Sequence, residues 1–302
     1  MGNKLSLKKE DNSHSSAIIT DNNKNFEWLN DKKTIITYNE DEDYRLIDQH
    51  FIIKKAFNSL DENILSDVKR NNGELLILDS GCGNGTWCLD MSEKFPDITF
   101  YGIDKMDIFP KDIKPENCEF KQHDIFDYIK GNKKFFSLIT QRFMAMYLTK
   151  EQWITLLKYY YDNLQPGGYI IFVESNFISS NMGKQTKEFA KQFMYLLRAR
   201  KIDPYINDSL ESLITSVGFT LKSNIYLPDK NYVSIPLFGE SSIGKCYGEN
   251  IIRSLKSMQS WFEKSLGIDE CEFDNILNII KEESEECKTF NNTYYYIAHK
   301  PN

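Results

Sequence analysis

The segment LDSGCGNGTW, residues 78–87, sets glycines at alternate positions 81, 83 and 85 directly behind the apolar run ELLIL. Glycine has no Cβ, so it tolerates a positive φ and lets the backbone come close to whatever lies beside it. The run before it is short and apolar enough for a buried strand, and GTWCLDMSEKF, residues 85–95, has helical spacing. A strand, a glycine-rich turn and a helix in that order constrain the chain strongly. In an open α/β sheet the first such turn lies at the carboxyl ends of the strands, where ligands bind near the topological switch point. The helix that follows offers free N–H groups and the positive end of its dipole to an anionic group. Residues 81–85 therefore read as a nucleotide-type loop.

The rest of the chain continues the alternation. Strands are expected at 74–80, 97–104, 118–124, 135–141 and 168–175, with an amphipathic helix at 43–60 ahead of the first and another at 150–164 stopped by Pro166-Gly167-Gly168. Strands and helices alternating at this pitch imply a parallel sheet with right-handed crossovers. The second half is less regular. Helices are expected at 179–201 and 208–219, a strand at 220–228, helical segments within 248–266 and 272–287, and a last strand at 293–300. Without a repeat or a linker, the simplest organisation is a tail over residues 1–30 and one domain over 31–302. Its core covers 74–228 and 293–300, with a helical insert at 240–288.

Composition narrows the function classes. A hydrophobic fraction of 41% over 302 residues can fill a large core, and no apolar run approaches the length of a spanning helix. The net charge of -7 argues against a general nucleic-acid surface, and Arg198, Arg200 and Lys201 read as a solvated helix face. Six cysteines without a C-x-x-C pair suggest free thiols in a reducing compartment, with neither a zinc site nor a disulfide framework. The start MGNKLSLKK fits the N-myristoylation pattern, with Gly2 as acceptor and Ser6 at the favoured position. One acyl chain gives only weak, reversible membrane association, so the expected location is the cytoplasm with a peripheral membrane fraction; the nucleus stays open.

The loop's spacing is G-x-G-x-G, whereas a dinucleotide fold prefers G-x-G-x-x-G, so NAD is disfavoured. Asp104, at the end of the second strand, is placed to take both hydroxyls of a ribose. The successive segments LDSGCGNGTW, YGID, FKQHDI and LQPGGYIIFVE resemble the motifs of class I S-adenosylmethionine-dependent methyltransferases. YNEDEDYRLIDQHFIIKKAF, QRFMAMYLT, the helical insert and the terminal YYYIAHKP are similar to the fungal TAM-domain group, which includes relatives of a regulator of secondary metabolism. The resemblance covers about residues 35–302. It implies a Rossmann-like α/β fold with a seven-stranded, mostly parallel sheet, helices on both faces and a helical insert before the last strand. It also implies S-adenosyl-L-methionine as cofactor.

Carried over by position, the resemblance lays Gly81, Cys82, Gly83 and Gly85 along the methionine part of the cofactor, with Asp79 near its amino group and Asp104 on the ribose. Met106 and Ile125 would flank the adenine and Asp124 would accept from its exocyclic amine. Gln141, Arg142 and Phe143 would lie beside the sulfonium, with Tyr38, Arg45 and Gln49 closing the pocket from above. The competing role for Asp79, Asp104 and Asp124 is capping at strand ends. Many members of the group have Asp where this chain has Ser137. Glu174 and His123 are the candidate bases, neither with a compelling case. The segment TQRFM is not the [DNS]-P-P-[YFW] of amino-methylating enzymes of this fold, and no Pro-Cys pair supplies a nucleophile for cytosine, so the expected acceptor is a small molecule or a protein. The insert, rich in Phe, Tyr, Met and Leu, would form a substrate lid or simply core. A regulatory or scaffold protein that keeps the fold without turnover is the alternative.

Overall fold

Apolar runs at 75–80, 98–104 and 136–142 become the central strands of one sheet, buried because helices cover both of its faces. The computed structural model describes residues 35–71, 75–131 and 135–302; the tail and Gly2 lie outside the described residues. Two helices, α1 (Glu40–Ala56) and α2 (Leu60–Asn71), precede the alternation. It then runs β1 (Leu75–Ser80), α3 (Thr86–Lys94), β2 (Ile98–Asp104), β3 (Cys118–Gln122), α4 (Ile125–Gly131), β4 (Phe136–Arg142), α5 (Lys150–Asn163) and β5 (Leu164–Ser175). After α6 (Lys184–Ala199) and α7 (Asn207–Ser216) come β6 (Thr220–Leu221), α8 (Ser223–Tyr226) and β7 (Tyr232–Pro236). Three helices, α9 (Ser242–Ser257), α10 (Gln259–Leu266) and α11 (Glu270–Glu286), lead into β8 (Phe290–His299).

The sheet order is β3-β2-β1-β4-β5-β8-β6, with β1 to β5 parallel and β8 antiparallel to β5. The chain leaves β1 in one direction for β2 and β3 and in the other for β4 and β5, so the switch point lies between β1 and β4. Alternate residues serve the two faces. Ile77, Leu138 and Val173 pack with Ile53, Leu65, Trp87 and Met91 from the α1–α3 side. Leu78, Ile139 and Phe172 pack with Trp153, Leu157, Tyr160 and Leu210 from the α5–α7 side.

Several boundaries differ from the sequence reading. The helix expected at 43–60 ends at Ala56, because Asn58 and Ser59 adopt left-handed φ values of 50° and 55° and turn the chain into α2. Short α4 and the outer strand β7 were not foreseen. The strand expected at 220–228 is only Thr220 and Leu221; α8 and a loop through Pro228 interrupt it, and β7 resumes the same lane along β8. The expected seven strands thus become eight, the outermost lane being split. The gap is closed chemically: Ile297 N–H donates to Ser223 Oγ at 2.9 Å and Tyr295 N–H to the Asn231 carbonyl at 2.7 Å.

Ser137 has a local explanation. The β4–β5 register is irregular between Phe136 and Leu138, and the buried Ser137 hydroxyl accepts the Leu76 N–H at 3.3 Å. In the insert, Asn250 of α9 donates to the Arg45 carbonyl of α1 at 2.8 Å. Glu283 of α11 takes the N–H groups of Gln185 and Thr186 and so caps α6. The expected helix at 179–201 accordingly begins only at Lys184.

Ser223→Ala leaves the buried Ile297 N–H without its partner, and the expected loss of unfolding free energy is about 1–3 kcal/mol. Urea denaturation followed by far-ultraviolet circular dichroism measures it, and an unchanged midpoint would mean that the split lane closes in another way.

Candidate functional site

The turn from β1 into α3 is built on left-handed backbone: φ is 79° at Gly81, 57° at Gly83 and 78° at Gly85. The N–H groups of Gly81 and Cys82 both donate to the Ile103 carbonyl at 2.9 Å, which fastens the turn to the end of β2. The three glycines do different work. A Cβ on Gly85 would stand 2.5 Å from the Phe120 ring, and one on Gly81 would stand 2.8 Å from Met144 Sδ. At Gly83 a Cβ would meet only Leu46 Cδ1, at an ordinary 3.6 Å. Room beside the loop is therefore at Gly83, while Gly81 and Gly85 serve backbone geometry and packing.

Asp104 ends β2 with both carboxylate oxygens engaged: Oδ2 accepts the Gly83 N–H at 2.9 Å and Oδ1 the Met106 N–H at 2.8 Å. It ties the glycine loop to the segment beyond β2, the capping role, and each oxygen keeps a lone pair for a ligand hydroxyl. Burial pushes its carboxyl above the ordinary carboxylate range, against the pull of these N–H groups. Asp79 is fully buried at the end of β1, with the Cys88 thiol 3.7 Å from Oδ2. Burial raises it to about 6, and the Arg142 guanidinium opposes that rise.

Asp124 precedes α4 and its Oδ1 accepts the Phe126 N–H at 2.9 Å, leaving the other oxygen for a donor. Ile125 is buried in the α5-side core and Met106 is half-buried behind Asp104. Cys82 is buried beneath the loop against Gly102. These residues converge on the carboxyl ends of β1, β2 and β3. Gln141 turns to the opposite face from Arg142, where its Oε1 accepts from Tyr160 at 2.5 Å while its buried Nε2 has no protein partner.

Tyr38 donates to Asp43 Oδ1 at 2.9 Å, and Asn84 Nδ2 donates to the same oxygen at 2.7 Å. The first turn of α1 is thus latched to the glycine loop. Arg45, expected to cover the pocket, is instead buried in a two-pronged pair with Glu42, each contact 2.7 Å, at the α1–α9 boundary. Gln49 is half-buried on α1.

Of the two candidate bases, Glu174 is committed to the backbone. Glu174 is buried, and its carboxyl oxygens accept the N–H groups of Met144 and Ala145 at 2.8 and 3.2 Å. It holds the turn after β4, in which Phe143 has a φ of 56°, and that turn lays Met144 against Gly81. Burial raises Glu174 to about 8, so it carries a proton at neutral pH. His123 is exposed at the end of β3.

Sequence reasoning missed His50. It is buried on α1, with Nε2 at 2.9 Å from Asp90 Oδ2 and Nδ1 at 3.2 Å from the Arg142 guanidinium. A single histidine in an amphipathic helix carries no local signal of such a role.

Comparison with known proteins places this geometry in a wider group. Residues 50–224 match a family model described as a methyltransferase domain. Over 241 residues the chain is 25% identical to the secondary metabolism regulator LaeA of Aspergillus fumisynnematus, covering 74% of this chain and 62% of that protein. It therefore spans less than two thirds of that curated relative. It is also 28% identical over 207 residues to the N-methyltransferase VerN of Clonostachys rogersoniana, covering 63% of this chain and 71% of the relative. Among solved structures, a putative sarcosine dimethylglycine methyltransferase from Galdieria sulphuraria superposes with a TM-score of 0.51 at 11% identity, covering 88% of this chain and 91% of that one. That likeness is one of fold.

Two outcomes follow from the site. Gly85→Ala combines a left-handed φ with a collision against Phe120 and is expected to cost about 2–4 kcal/mol, whereas Gly83→Ala, with the backbone penalty alone, costs about 1–2 kcal/mol. Paired denaturation curves test that order, and equal losses would contradict it. A carboxyl raised in the folded state stabilises most at low pH and loses its contribution as pH rises through its folded value. The intact protein should therefore lose stability between about pH 4.5 and 8 relative to Glu174→Gln, whose side chain cannot ionise, and the difference should level off above about pH 8; parallel melting temperatures over that interval would remove the assignment.

Proposed function

The chain belongs to the methyltransferase-domain family, and from that membership we propose that it is an S-adenosylmethionine-dependent methyltransferase acting on a small-molecule or protein acceptor. The observation that carries this reading is the convergence of Gly83, Asp79, Asp104 and Asp124 at the carboxyl ends of β1 to β3, beside the switch point. The residues fit the cofactor's shape and charge. The open side of Gly83 admits a chain along the loop, the free lone pairs of Asp104 suit two ribose hydroxyls, and the second oxygen of Asp124 suits an exocyclic amine. Asp79, at the buried end of β1, would face the ammonium group.

When bound, the cofactor supplies a methyl group on a positively charged sulfur, an electrophile that needs an aligned nucleophile and dry surroundings. The chain's own contribution is alignment. Asn84 and Tyr38 hold the first turn of α1 at the glycine loop, and Glu174 fixes the turn that sets Met144 beside Gly81. With Glu174 committed to two backbone N–H groups and His123 exposed, the site favours an acceptor whose lone pair is already free near neutral pH, such as an amine nitrogen or a thioether sulfur. VerN, one of the relatives, is named an N-methyltransferase.

The deciding experiment is calorimetric titration of the purified protein with S-adenosylmethionine, S-adenosylhomocysteine and NAD, repeated with Asp104→Ala. The expected result is binding of the first two, no binding of NAD, and a loss of about tenfold or more in the variant, the size of one or two hydrogen bonds to a charged group. Absence of binding to the intact protein would favour a scaffold that keeps the fold alone.

A further inference from the structure

We propose that Arg142 is the positioning residue for Asp79: its guanidinium, pinned by His50 and Trp87, keeps the buried Asp79 carboxylate ionised for the ammonium end of the cofactor. The proposal rests on the cofactor reading above and goes beyond it, because it gives Arg142 a task other than direct contact with the sulfonium.

The geometry begins with register. Asp79 of β1 is the pairing partner of Thr140 of β4, and Arg142 stands two residues further along β4. Side chains alternate along a strand, so Thr140 and Arg142 share a face with Leu138, which packs on the α1–α3 side. Asp79 shares that face with Ile77, and the Cys88 thiol of α3 reaches it there. Arg142 and Asp79 are therefore diagonal neighbours on one side of the sheet, at the strand ends where the ligand is expected.

Arg142 is held from two other directions. Its Nη1 lies 3.2 Å from His50 Nδ1, and its Cζ lies 5.9 Å from the centre of the Trp87 ring. His50 is committed in turn. Its Nε2–H donates to Asp90, so Nδ1 is left as the acceptor that the guanidinium requires. Asp90 is braced by Lys54 at 2.6 Å and Lys94 at 3.1 Å. Among the described residues no carboxylate forms a hydrogen bond with Arg142, and its Nε is buried without a partner. A half-buried guanidinium in that state favours a nearby counter-charge, and Asp79 is placed to be it.

The surroundings of Asp79 make the cation necessary. From β2 and α2, Asp104 and Asp61 add like charge, and Asp61 in turn is bonded to Tyr295 of β8. Cys88 on α3, Cys82 in the loop and Tyr160 on α5, all raised by burial, are neutral acids around it, and Cys118 on β3, lowered by its hydrogen bond with the Cys88 thiol, is a further neighbour. Burial and these carboxylates favour the protonated acid; Arg142 is the cation that faces it and opposes them. A protonated Asp79 would still fill space but would lose the charge that holds an ammonium group.

The test compares S-adenosylmethionine with methylthioadenosine, which lacks the ammonium and carboxylate end. Affinities of both are measured by calorimetry between about pH 5 and 7.5, below the titration of the ligand's own ammonium group, for the intact protein, Arg142→Gln and Arg142→Lys. S-adenosylmethionine affinity is expected to rise with pH around 6 in the intact protein. In Arg142→Gln the rise moves up by about one pH unit or more, so the loss is greatest near pH 6 and shrinks toward pH 7.5, and lysine restores most of the shift. Methylthioadenosine binding stays flat in all three. A loss that is equal at every pH, an unmoved midpoint, or a parallel loss for methylthioadenosine would overturn the proposal.

A second readout needs no ligand. In protein labelled with carbon-13 at aspartate carboxyl groups, the Asp79 resonance should titrate at higher pH in Arg142→Gln, and an unchanged titration overturns the assignment. If the intact protein binds neither ligand, the cofactor reading falls while this resonance still decides the role of Arg142. Should Arg142→Gln not fold, His50→Gln, which keeps the cation and removes its anchor, is expected to raise the Asp79 titration by a smaller amount.

Discussion

Everything at the strand ends depends on one carbonyl oxygen. Ile103 O accepts the N–H groups of both Gly81 and Cys82, and this pair of hydrogen bonds to the end of β2 is what allows the chain to leave β1, turn through left-handed backbone and start α3 within a few residues. From that fixed turn Gly83 N–H reaches Asp104, Asn84 reaches the first turn of α1, and Met144 closes on Gly81 from the other side of the switch point. Parallel strands supply the frame because β1 and β4 diverge in connectivity yet lie side by side, leaving their ends to meet without a covering crossover. A side chain at position 85 would push against Phe120, which lies across Gly102 as well, so the error would spread to two strands.

The strands β1 to β5 and the glycine loop were legible because their signals are local: apolar runs of strand length and glycines at the turn. The split outer lane was not. Residues 220–228 look like a strand on side-chain type, but the N–H groups of β8 there are satisfied by the Ser223 hydroxyl and the Asn231 carbonyl, and no local pattern announces a tertiary substitution of that kind. Ser137 is similar. As a departure from the family pattern it looks like a weakness, and in the fold it completes the hydrogen bonding of Leu76 at an irregular stretch of sheet.

The candidate site divides along the same line. Asp104, placed by spacing, and Asp124, placed by the resemblance, both cap the backbone, and each keeps an oxygen free for a ligand, so the functional and capping readings are not exclusive. Arg45 does not cover the pocket as the resemblance implied, because Glu42 one turn earlier neutralises it and allows both to be buried against α9. His50 and Asp90 were invisible for a related reason. They are far apart in the chain, their partnership exists only once α1 and α3 lie together, and its reach to Arg142 needs β4 as well.

Burying this much charge has a cost, and the arrangement shows how it is offset. Lys54, Lys94, Glu62 and Asp90 form the outer, half-exposed end of a chain of alternating charge, where water still screens each pair. Moving inward, His50 passes contact from Asp90 to Arg142 without itself being charged, since burial and the guanidinium both lower its proton affinity. The chain ends at the half-buried Arg142, whose Nε has no partner, and the buried Asp79, a pair that a packed core alone would not keep. A chain selected only for stability would replace such a pair with apolar side chains of similar size. Its position at the carboxyl ends of β1 and β4, beside the open side of Gly83, is the physical reason to regard the retained charge as serving a ligand that carries charge of its own.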